Sequence, residues 1–176
     1  LRKITIEQSP VADAFDERYL GSSAPDKLKG GSSDDELKGR NANDVLRSHK
    51  GNDYLFGGNG DDKLNAGQGS DVLQGQKGAD KLTGHNGADL LYGGAGKDSL
   101  TGGRGSDIFV LSKGKDVVTD FKVAKDGIGL VHAVDLDVIQ KGDDLLLKDP
   151  DLGVRMLLEN VDRDEFLRYF PGSLQQ

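Results

Sequence analysis

The sequence predicts an all-β fold, a solenoid of short parallel strands, and three observations support this prediction. An aspartate recurs every nine residues, a large apolar residue follows each of these aspartates by two positions, and glycine makes up 26 of the 176 residues. A fixed short period is typical of a chain that repeats one structural unit. The repeat therefore sets the architecture, and the flanking segments close its ends.

The nine-residue period runs without interruption through eleven units. Their aspartates are Asp26, Asp35, Asp44, Asp53, Asp62, Asp71, Asp80, Asp89, Asp98, Asp107 and Asp116. The apolar residue two positions later is leucine in nine units, from Leu28 to Leu100, followed by Phe109 and Val118. In extended backbone this side chain points to one face and its two neighbours point to the other. Each unit therefore predicts a strand of three residues with one core residue.

Glycines predict a tight turn before each strand. A glycine precedes the aspartate by two positions in eight successive units, from Gly51 to Gly114. Glycine adopts positive φ without steric cost, as such turns require. Residues 57–62, 93–98 and 102–107 spell Gly-Gly-x-Gly-x-Asp in full. Two turns and two strands complete one coil, so each strand pairs in parallel with the strand of the second unit after it.

Stacked coils of this kind arrange the aspartates in two columns. The first column contains Asp26, Asp44, Asp62, Asp80, Asp98 and Asp116, and the second contains Asp35, Asp53, Asp71, Asp89 and Asp107. Neighbouring carboxylates lie about 4.8 Å apart by strand spacing, and they repel each other unless a cation lies between them. Carboxylate and carbonyl oxygens suit Ca²⁺, and aspartates that only cap turns are the alternative. The 25 aspartates against 5 glutamates fit calcium, because glutamate would overreach.

These units resemble the RTX nonapeptide, GGxGxDxUx with U a large aliphatic residue, of secreted toxins, metalloproteases, lipases and alginate epimerases. The resemblance covers about residues 21–118. It implies a right-handed parallel β-roll in which each ion takes carbonyl oxygens from two stacked turns and one carboxylate oxygen from the aspartate of each. It also implies export through type I secretion machinery, with an uncleaved signal near the C-terminus.

The resemblance implies nine inter-turn sites, of which about four to nine hold Ca²⁺. The implied carboxylate ligands are Asp44, Asp53, Asp62, Asp71, Asp80, Asp89, Asp98, Asp107 and Asp116. The implied turn ligands are Gly51, Gly57, Gly58, Asn59, Gly60, Gly67, Gly69, Gly75, Gly78, Gly84, Asn86, Gly87, Gly93, Gly94, Gly96, Gly102, Gly103 and Gly105. The first turns depart from the pattern, because Ala24, Ser33 and Ala42 replace the last glycine. Leu111 and Ser112 replace the leading glycines before Asp116.

The flanks predict two caps, which divide the chain into three parts. We expect residues 1–20 to cap the roll or to link it to an upstream domain, 21–118 to form the roll, and 119–176 to cap it and carry the secretion signal. Short strands are predicted at about 128–133, 136–140, 144–148 and 154–159, with turns at 141–143 and 149–151. One helix is predicted from Asp162 to Phe170, before Pro171, and the tail at 173–176 is expected to be unstructured.

Composition excludes several functions. The absence of cysteine excludes disulfides and thiolate metal sites, and a net charge of −7 argues against nucleic acid as a partner. No apolar run approaches the roughly 20 residues of a membrane-spanning helix. The chain contains neither HExxH nor Gly-x-Ser-x-Gly, and His132 lies in an apolar segment. We expect no catalytic centre here, and we expect a longer exported protein whose catalytic domain would lie upstream.

The outward strand positions predict two different faces. One sheet carries the basic residues Lys27, Lys29, Arg47, Lys63 and Lys81, and the other carries an apolar stripe of Tyr54, Phe56, Val72, Leu90, Tyr92, Ile108 and Val110. We expect the C-terminal strands or a neighbouring domain to cover the stripe; an aromatic platform for a sugar polymer is the alternative.

The leading functional hypothesis is a calcium-binding domain that folds on binding extracellular Ca²⁺ and serves the secretion and stability of an exported protein. The alternative is a calcium-dependent module that binds an anionic polysaccharide or cell surface through Lys63, Lys81 and Arg47. Lysines that serve only solubility and edge protection are the simpler explanation of the basic face.

Overall fold

The computed structural model describes residues 17–110, 112–129, 136–149 and 153–170. Predictions that fall on other residues lie outside this part of the chain. They are the cap at residues 1–16, Leu111, the end of the strand predicted at 128–133 with His132, the centre of the turn at 149–151, Pro171 and the tail at 173–176.

The described residues form sixteen strands and one short helix. The strands are β1 (Glu17–Leu20), β2 (Lys27–Lys29), β3 (Asp35–Asn41), β4 (Val45–Lys50), β5 (Tyr54–Asn59), β6 (Lys63–Gln68), β7 (Val72–Gly78), β8 (Lys81–Asn86), β9 (Leu90–Gly96), β10 (Ser99–Arg104), β11 (Ile108–Val110), β12 (Asp116–Val118), β13 (Gly127–Gly129), β14 (Asp137–Lys141), β15 (Asp144–Asp149) and β16 (Val154–Leu158). The helix α1 spans Arg163–Tyr169, and no helix in these ranges is long and apolar enough to cross a membrane.

The strands form two sheets, parallel within the repeats, that face each other across the core. The aromatic sheet has the order β1-β3-β5-β7-β9-β11-β13, and the lysine sheet has the order β14-β15-β16-β12-β10-β8-β6-β4-β2. Within the repeats, each strand pairs with the strands two units before and after it: Leu55 pairs with Leu37 on one side and with Leu73 on the other. The predicted all-β parallel β-roll is confirmed, with about six turns and one short helix near its C-terminal end.

The strands are longer than the predicted three residues. In β5, for example, pairing continues from Tyr54 to Asn59, and both Leu55 and Gly57 are buried. The ladder extends because the first three residues of the turn continue the strand, and the second and third of them, Gly58 and Asn59, pair with the neighbouring coils. The three-residue prediction is therefore wrong for β3 to β10, while β2, β11 and β12 do have three residues.

The core is a stack of one large apolar side chain per unit, closed by aromatic rings at the C-terminal end. The leucines from Leu37 to Leu100 are at most 1% exposed. Phe121 lies 5.9 Å from Phe109 and 6.2 Å from Phe166 between ring centroids, so the ring from α1 continues the stack. Asp162 caps α1 by accepting a hydrogen bond from the Glu165 N–H, as the predicted helix requires.

The C-terminal strands extend the lysine sheet. Strands β14, β15 and β16 form an antiparallel meander, and β16 pairs in parallel with β12. The expectation that C-terminal strands cover the apolar stripe is wrong for these strands, because they join the edge of the opposite sheet. Tyr54 and Ile108 remain 51% and 45% exposed. Cover by a neighbouring domain stays a prediction.

Close approach of the coils explains the regular spacing of the turn glycines. Gly78 has φ of +132°, and a Cβ on it would lie 1.9 Å from the carbonyl oxygen of Gly60 in the preceding coil. The obstacle is backbone, which cannot move aside without separating the coils. Glycine is therefore required at this position by both conformation and packing.

We predict that Gly78→Ala lowers the stability of the calcium-loaded roll by more than about 1 kcal/mol, because φ is positive and the added methyl meets backbone. The control is Gly31→Ala, since no atom lies within 4 Å of the added Cβ and φ is ordinary. Thermal unfolding in excess calcium measures the stability of both variants. Equal midpoints for the two variants would contradict this account.

Candidate calcium sites

The structure confirms the two predicted columns of aspartates. From Asp44 to Asp116, each carboxylate is buried and its Oδ1 accepts a hydrogen bond from the backbone N–H of the aspartate one coil earlier. The Asp44 N–H donates to Asp62 Oδ1 at 2.7 Å, and the Asp53 N–H donates to Asp71 Oδ1 at 2.8 Å. These bonds fix the rotation of each carboxylate, so its second oxygen has a fixed direction.

The second oxygen, Oδ2, has no hydrogen-bond partner in eight of these carboxylates. They are Asp44, Asp53, Asp62, Asp71, Asp80, Asp89, Asp98 and Asp107. An unpaired buried polar atom costs about 1–3 kcal/mol, and more when it is charged. Eight such atoms in two regular columns indicate sites for a partner of opposite charge.

For six of the eight aspartates the unpaired oxygen lies beside the first glycine of its own turn, whereas Ser48 and Ala66 hold that position in the turns of Asp53 and Asp71. A Cβ on Gly57 would lie 2.4 Å from Asp62 Oδ2 and 2.8 Å from the carbonyl oxygen of Gly75, one coil later. A Cβ on Gly75 would likewise lie 2.3 Å from Asp80 Oδ2 and 2.5 Å from the carbonyl oxygen of Gly93. Carboxylate and carbonyl oxygens thus converge on a space that any side chain would fill.

Gly39 and Gly84 repeat this arrangement, whereas at Gly93 and Gly102 the three nearest atoms all belong to the aspartate of the same turn. The nearest carboxylate oxygen to an added Cβ belongs to Asp89 at Gly84, to Asp98 at Gly93 and to Asp107 at Gly102. A set of oxygen donors from two coils is the environment that Ca²⁺ prefers. The residues present therefore fit the ion.

The other predicted turn glycines shape the backbone. Positive φ is found at Gly51, Gly58, Gly60, Gly67, Gly69, Gly78, Gly87, Gly94, Gly96, Gly103 and Gly105. Arg40, His49, Gln76 and His85 replace the second glycine of their turns and keep positive φ, between 79° and 85°. These four replacements of glycine therefore leave the turn intact.

The side chains of Asn59 and Asn86 are exposed and lie away from the columns. The Asn59 amide donates to Asn41 Oδ1 at 2.7 Å, and the backbone carbonyl of Asn86 accepts from the Gly69 N–H at 2.9 Å. Only their backbone could contribute to a site, and that contribution stays a prediction.

Within the described ranges, no group of three or more histidine, aspartate or glutamate side chains is placed so that it could hold one metal ion by itself. The spaces beside Gly57, Gly75 and Gly84 are each bordered by one carboxylate oxygen and by a carbonyl oxygen of the next coil, so further oxygens would come from other backbone carbonyls, neighbouring carboxylates and water. Such a donor set suits a hard cation with six to eight ligands.

The ends of the columns are satisfied by the protein itself. Asp26 Oδ2 accepts hydrogen bonds from the backbone N–H and the hydroxyl of Ser22. At the other end, Asp116 Oδ2 accepts from the Ser112 hydroxyl at 2.7 Å. Ser112, which breaks the glycine pattern, thus replaces a cation with a hydroxyl donor.

A lysine closes the second column. The column continues to Asp126, whose Oδ1 accepts from the Asp107 N–H at 3.1 Å. The Lys122 ammonium donates to the Gly103 carbonyl and lies 3.8 Å from the carboxylates of both Asp120 and Asp126. Sequence reasoning missed this group because Asp126 lies one residue beyond the position that the strict period would give it after Asp107.

In the absence of metal, burial raises the pKa of the column aspartates from Asp44 to Asp116. It raises the pKa of Asp62 and Asp89 to about 6 and that of Asp71 and Asp80 to about 7. Neighbouring carboxylates raise the pKa further; for Asp71 the neighbours are Asp89 and Asp53. Protons and metal ions therefore compete for the same oxygens.

We predict that, without calcium, acid stabilises the roll. In the unfolded chain aspartate has its ordinary pKa near 3.8, against about 7 for folded Asp71 and Asp80. Between these values the folded state binds more protons, so the free energy of unfolding decreases as pH rises through this window. Far-ultraviolet circular dichroism in chelator should show more β signal at about pH 5 than at about pH 8. Equal β signals at the two pH values would contradict this prediction.

Comparison with known proteins agrees with this geometry. The family profile for the RTX calcium-binding nonapeptide repeat (4 copies) matches residues 12–46, 20–55, 39–73, 66–100, 74–109 and 83–118, more than half of the chain. A search of curated proteins gives no match.

Two solved structures show similarity at 20% sequence identity. The extracellular lipase LipA from Serratia marcescens matches over 88% of this chain and 39% of its own, with a TM-score of 0.43. This chain therefore spans less than half the length of that lipase. The AlgE6R3 subunit of the Azotobacter vinelandii mannuronan C5-epimerase matches over 90% of this chain and 78% of its own, with a TM-score of 0.27. On the strength of the matched repeats, the chain belongs to the family of RTX calcium-binding nonapeptide repeat proteins, and its coils form a calcium-binding β-roll.

Proposed function

We propose that this chain folds when it binds extracellular Ca²⁺ and thereby serves the secretion and stability of the exported protein that carries it. The observation that supports the proposal is the set of eight buried carboxylate oxygens without a hydrogen-bond partner. A folded state with this many uncompensated charges needs a cation, and the ion's binding energy then becomes folding energy.

The rest of the repeat provides little folding energy of its own. Each nine-residue unit contributes about one buried large side chain, while its glycines lose much conformational entropy on ordering. Extracellular calcium modules bind at about 10⁻⁴ to 10⁻³ M. The chain therefore stays unfolded in a cell interior poor in calcium, which suits passage through type I secretion machinery, and it folds outside.

We infer six central ions from the unpaired oxygens. Within the first column the adjacent pairs with both Oδ2 atoms unpaired are Asp44/Asp62, Asp62/Asp80 and Asp80/Asp98, and within the second they are Asp53/Asp71, Asp71/Asp89 and Asp89/Asp107. Towards the ends, donors from Ser22 and Ser112 occupy the carboxylates of Asp26 and Asp116.

In this proposal the repeat segment has no catalytic role, and any reaction of the whole protein takes place in another part of it. His49 and His85 occupy exposed turn positions, where the His85 ring contacts the Asn65 amide at 2.7 Å. Neither histidine lies in an arrangement with a nucleophile among the described residues.

We predict that circular dichroism during a Ca²⁺ titration shows a cooperative gain of β signal from a largely disordered state. Asp80→Asn should raise the calcium midpoint several-fold, because one carboxylate serves two neighbouring sites in the middle of a column. Asp143→Asn, an exposed aspartate in the turn between β14 and β15, should leave the midpoint unchanged.

Magnesium is the control for nonspecific screening, and it should not restore the signal at the same concentration, because it requires octahedral geometry and holds its water. A fragment that is fully folded in chelator at neutral pH and unchanged by calcium would refute the proposal. Equal effects of the Asp80 and Asp143 substitutions would refute the assignment of the sites.

A second candidate function is calcium-dependent binding of an anionic polysaccharide or cell surface. Lys63 and Lys81 lie directly opposite each other on β6 and β8, both are exposed, and neither forms an ion pair with a described residue. Arg47 is exposed on β4 and lies opposite Asn65. The three cations thus form one basic surface on the lysine sheet.

For this candidate, we predict retention on an alginate or heparin column in calcium at low salt. Lys63→Glu combined with Lys81→Glu should abolish retention, because charge is reversed at the centre of the surface. Lys77→Glu combined with Lys125→Glu makes the same change of net charge at exposed positions outside this face. Absence of retention, or equal loss in both double variants, would exclude specific binding by the basic surface.

A further inference from the structure

The strands that close the roll carry a second basic surface, which differs from the first because it has an apolar floor. Ile139, Leu146 and Leu157 lie opposite one another on β14, β15 and β16, and Val117 on β12 continues the row. Their neighbours in sequence, such as Leu147 and Met156, point into the core. The four side chains therefore line the outer face over about 14 Å by strand spacing.

A row of cations runs beside this floor. Lys148 lies opposite Arg155, and Lys115 stands two residues before Val117, as Arg155 stands two residues before Leu157. Alternation along a strand places all three on the same face as the apolar row. Lys141, two residues after Ile139, lies on the other side of the floor.

The surface is concave. A cavity of about 550 Å³ lies over it, and an adjoining cavity of about 360 Å³ shares four of the same lining residues, namely Lys115, Lys141, Leu146 and Arg155. The larger volume lies within the range of small-molecule sites, roughly 300–1,000 Å³. This concave shape therefore suits one small ligand better than it suits a partner with a flat surface.

Most of the positive charge has no acidic partner among the residues that the structure describes. Lys148 pairs with Asp137 at 3.0 Å, whereas Lys115, Lys141 and Arg155 form no ion pair with any described residue. Three acidic residues also border the cavities: the Asp116 carboxylate accepts from the Ser112 hydroxyl, the Asp144 carboxylate accepts from the Asn160 N–H, and Asp149 is only 6% exposed. The cations outnumber these acids at the rim.

We propose that this groove binds one molecule of an anionic amphiphile, a free fatty-acid carboxylate. Its apolar chain lies along Leu146 and Leu157, and its head group contacts Arg155 and Lys115. The floor has a defined end, because the next outward positions in the same row are Ser99 and Lys81. An acidic sugar polymer has no apolar chain to bury, and a membrane surface does not fit a cavity of this size.

Isothermal titration calorimetry of the calcium-loaded protein with octanoate tests the proposal. Octanoate should bind with one site per chain, whereas octanol and octyltrimethylammonium, which have the same chain with a neutral and a cationic head group, should bind at least about tenfold more weakly. Equal binding of octanol and octanoate would overturn the proposal, and so would absence of octanoate binding.

Two double variants locate the site. Arg155→Glu with Lys115→Glu should weaken octanoate binding by at least about tenfold, whereas Lys63→Glu with Lys81→Glu, on the same face of the same sheet, should leave it unchanged. Circular dichroism in calcium checks that both variants fold, which separates failure of this site from failure of calcium-driven folding. Vesicles of anionic lipid that bind the protein without competition from octanoate would assign the surface to a membrane and overturn the proposal.

Discussion

The structure depends on the neutralisation of carboxylates that are held one coil apart. A hydrogen bond from the preceding coil to Oδ1 fixes each aspartate, so the carboxylate cannot turn to solvent and Oδ2 remains buried. Other features of the repeat follow from this constraint. In six of the eight turns the first glycine leaves the space in front of Oδ2 open, and the short aspartate side chain keeps the carboxylate within reach of both turns.

The carboxylates inside each column differ from those at its ends in their hydrogen-bond partners. Interior carboxylates have a free oxygen, whereas terminal ones are bonded to Ser22, Ser112 or the Lys122 segment. Hydroxyls, backbone N–H groups and an ammonium do at the ends what an ion does between the coils. The stack is therefore closed at both ends, and the residues that close it limit the number of ions.

A strict period made much of the fold predictable. The eleven aspartates and their leucines determined the pairing of every second unit, the two columns and the core, because every unit repeats the same geometry. The end of the roll was less predictable, since Asp126 lies one residue out of register and the pattern of β14 to β16 is compatible with either sheet. The basic groove depends on the pairing of β16 with β12, which no local signal in the sequence reveals.

The two-unit coil also restricts how such a chain can change in length. Duplication of a single unit would preserve every turn, aspartate and leucine, yet it would transfer all later units to the opposite sheet. Lysines and aromatic residues would then share a face, and β12 with the strands β14 to β16 that extend its sheet would lie on the opposite side of the roll. Duplication of two successive units keeps both faces and the cap in place. Growth and shortening of this roll during evolution are therefore expected to proceed by pairs of repeats.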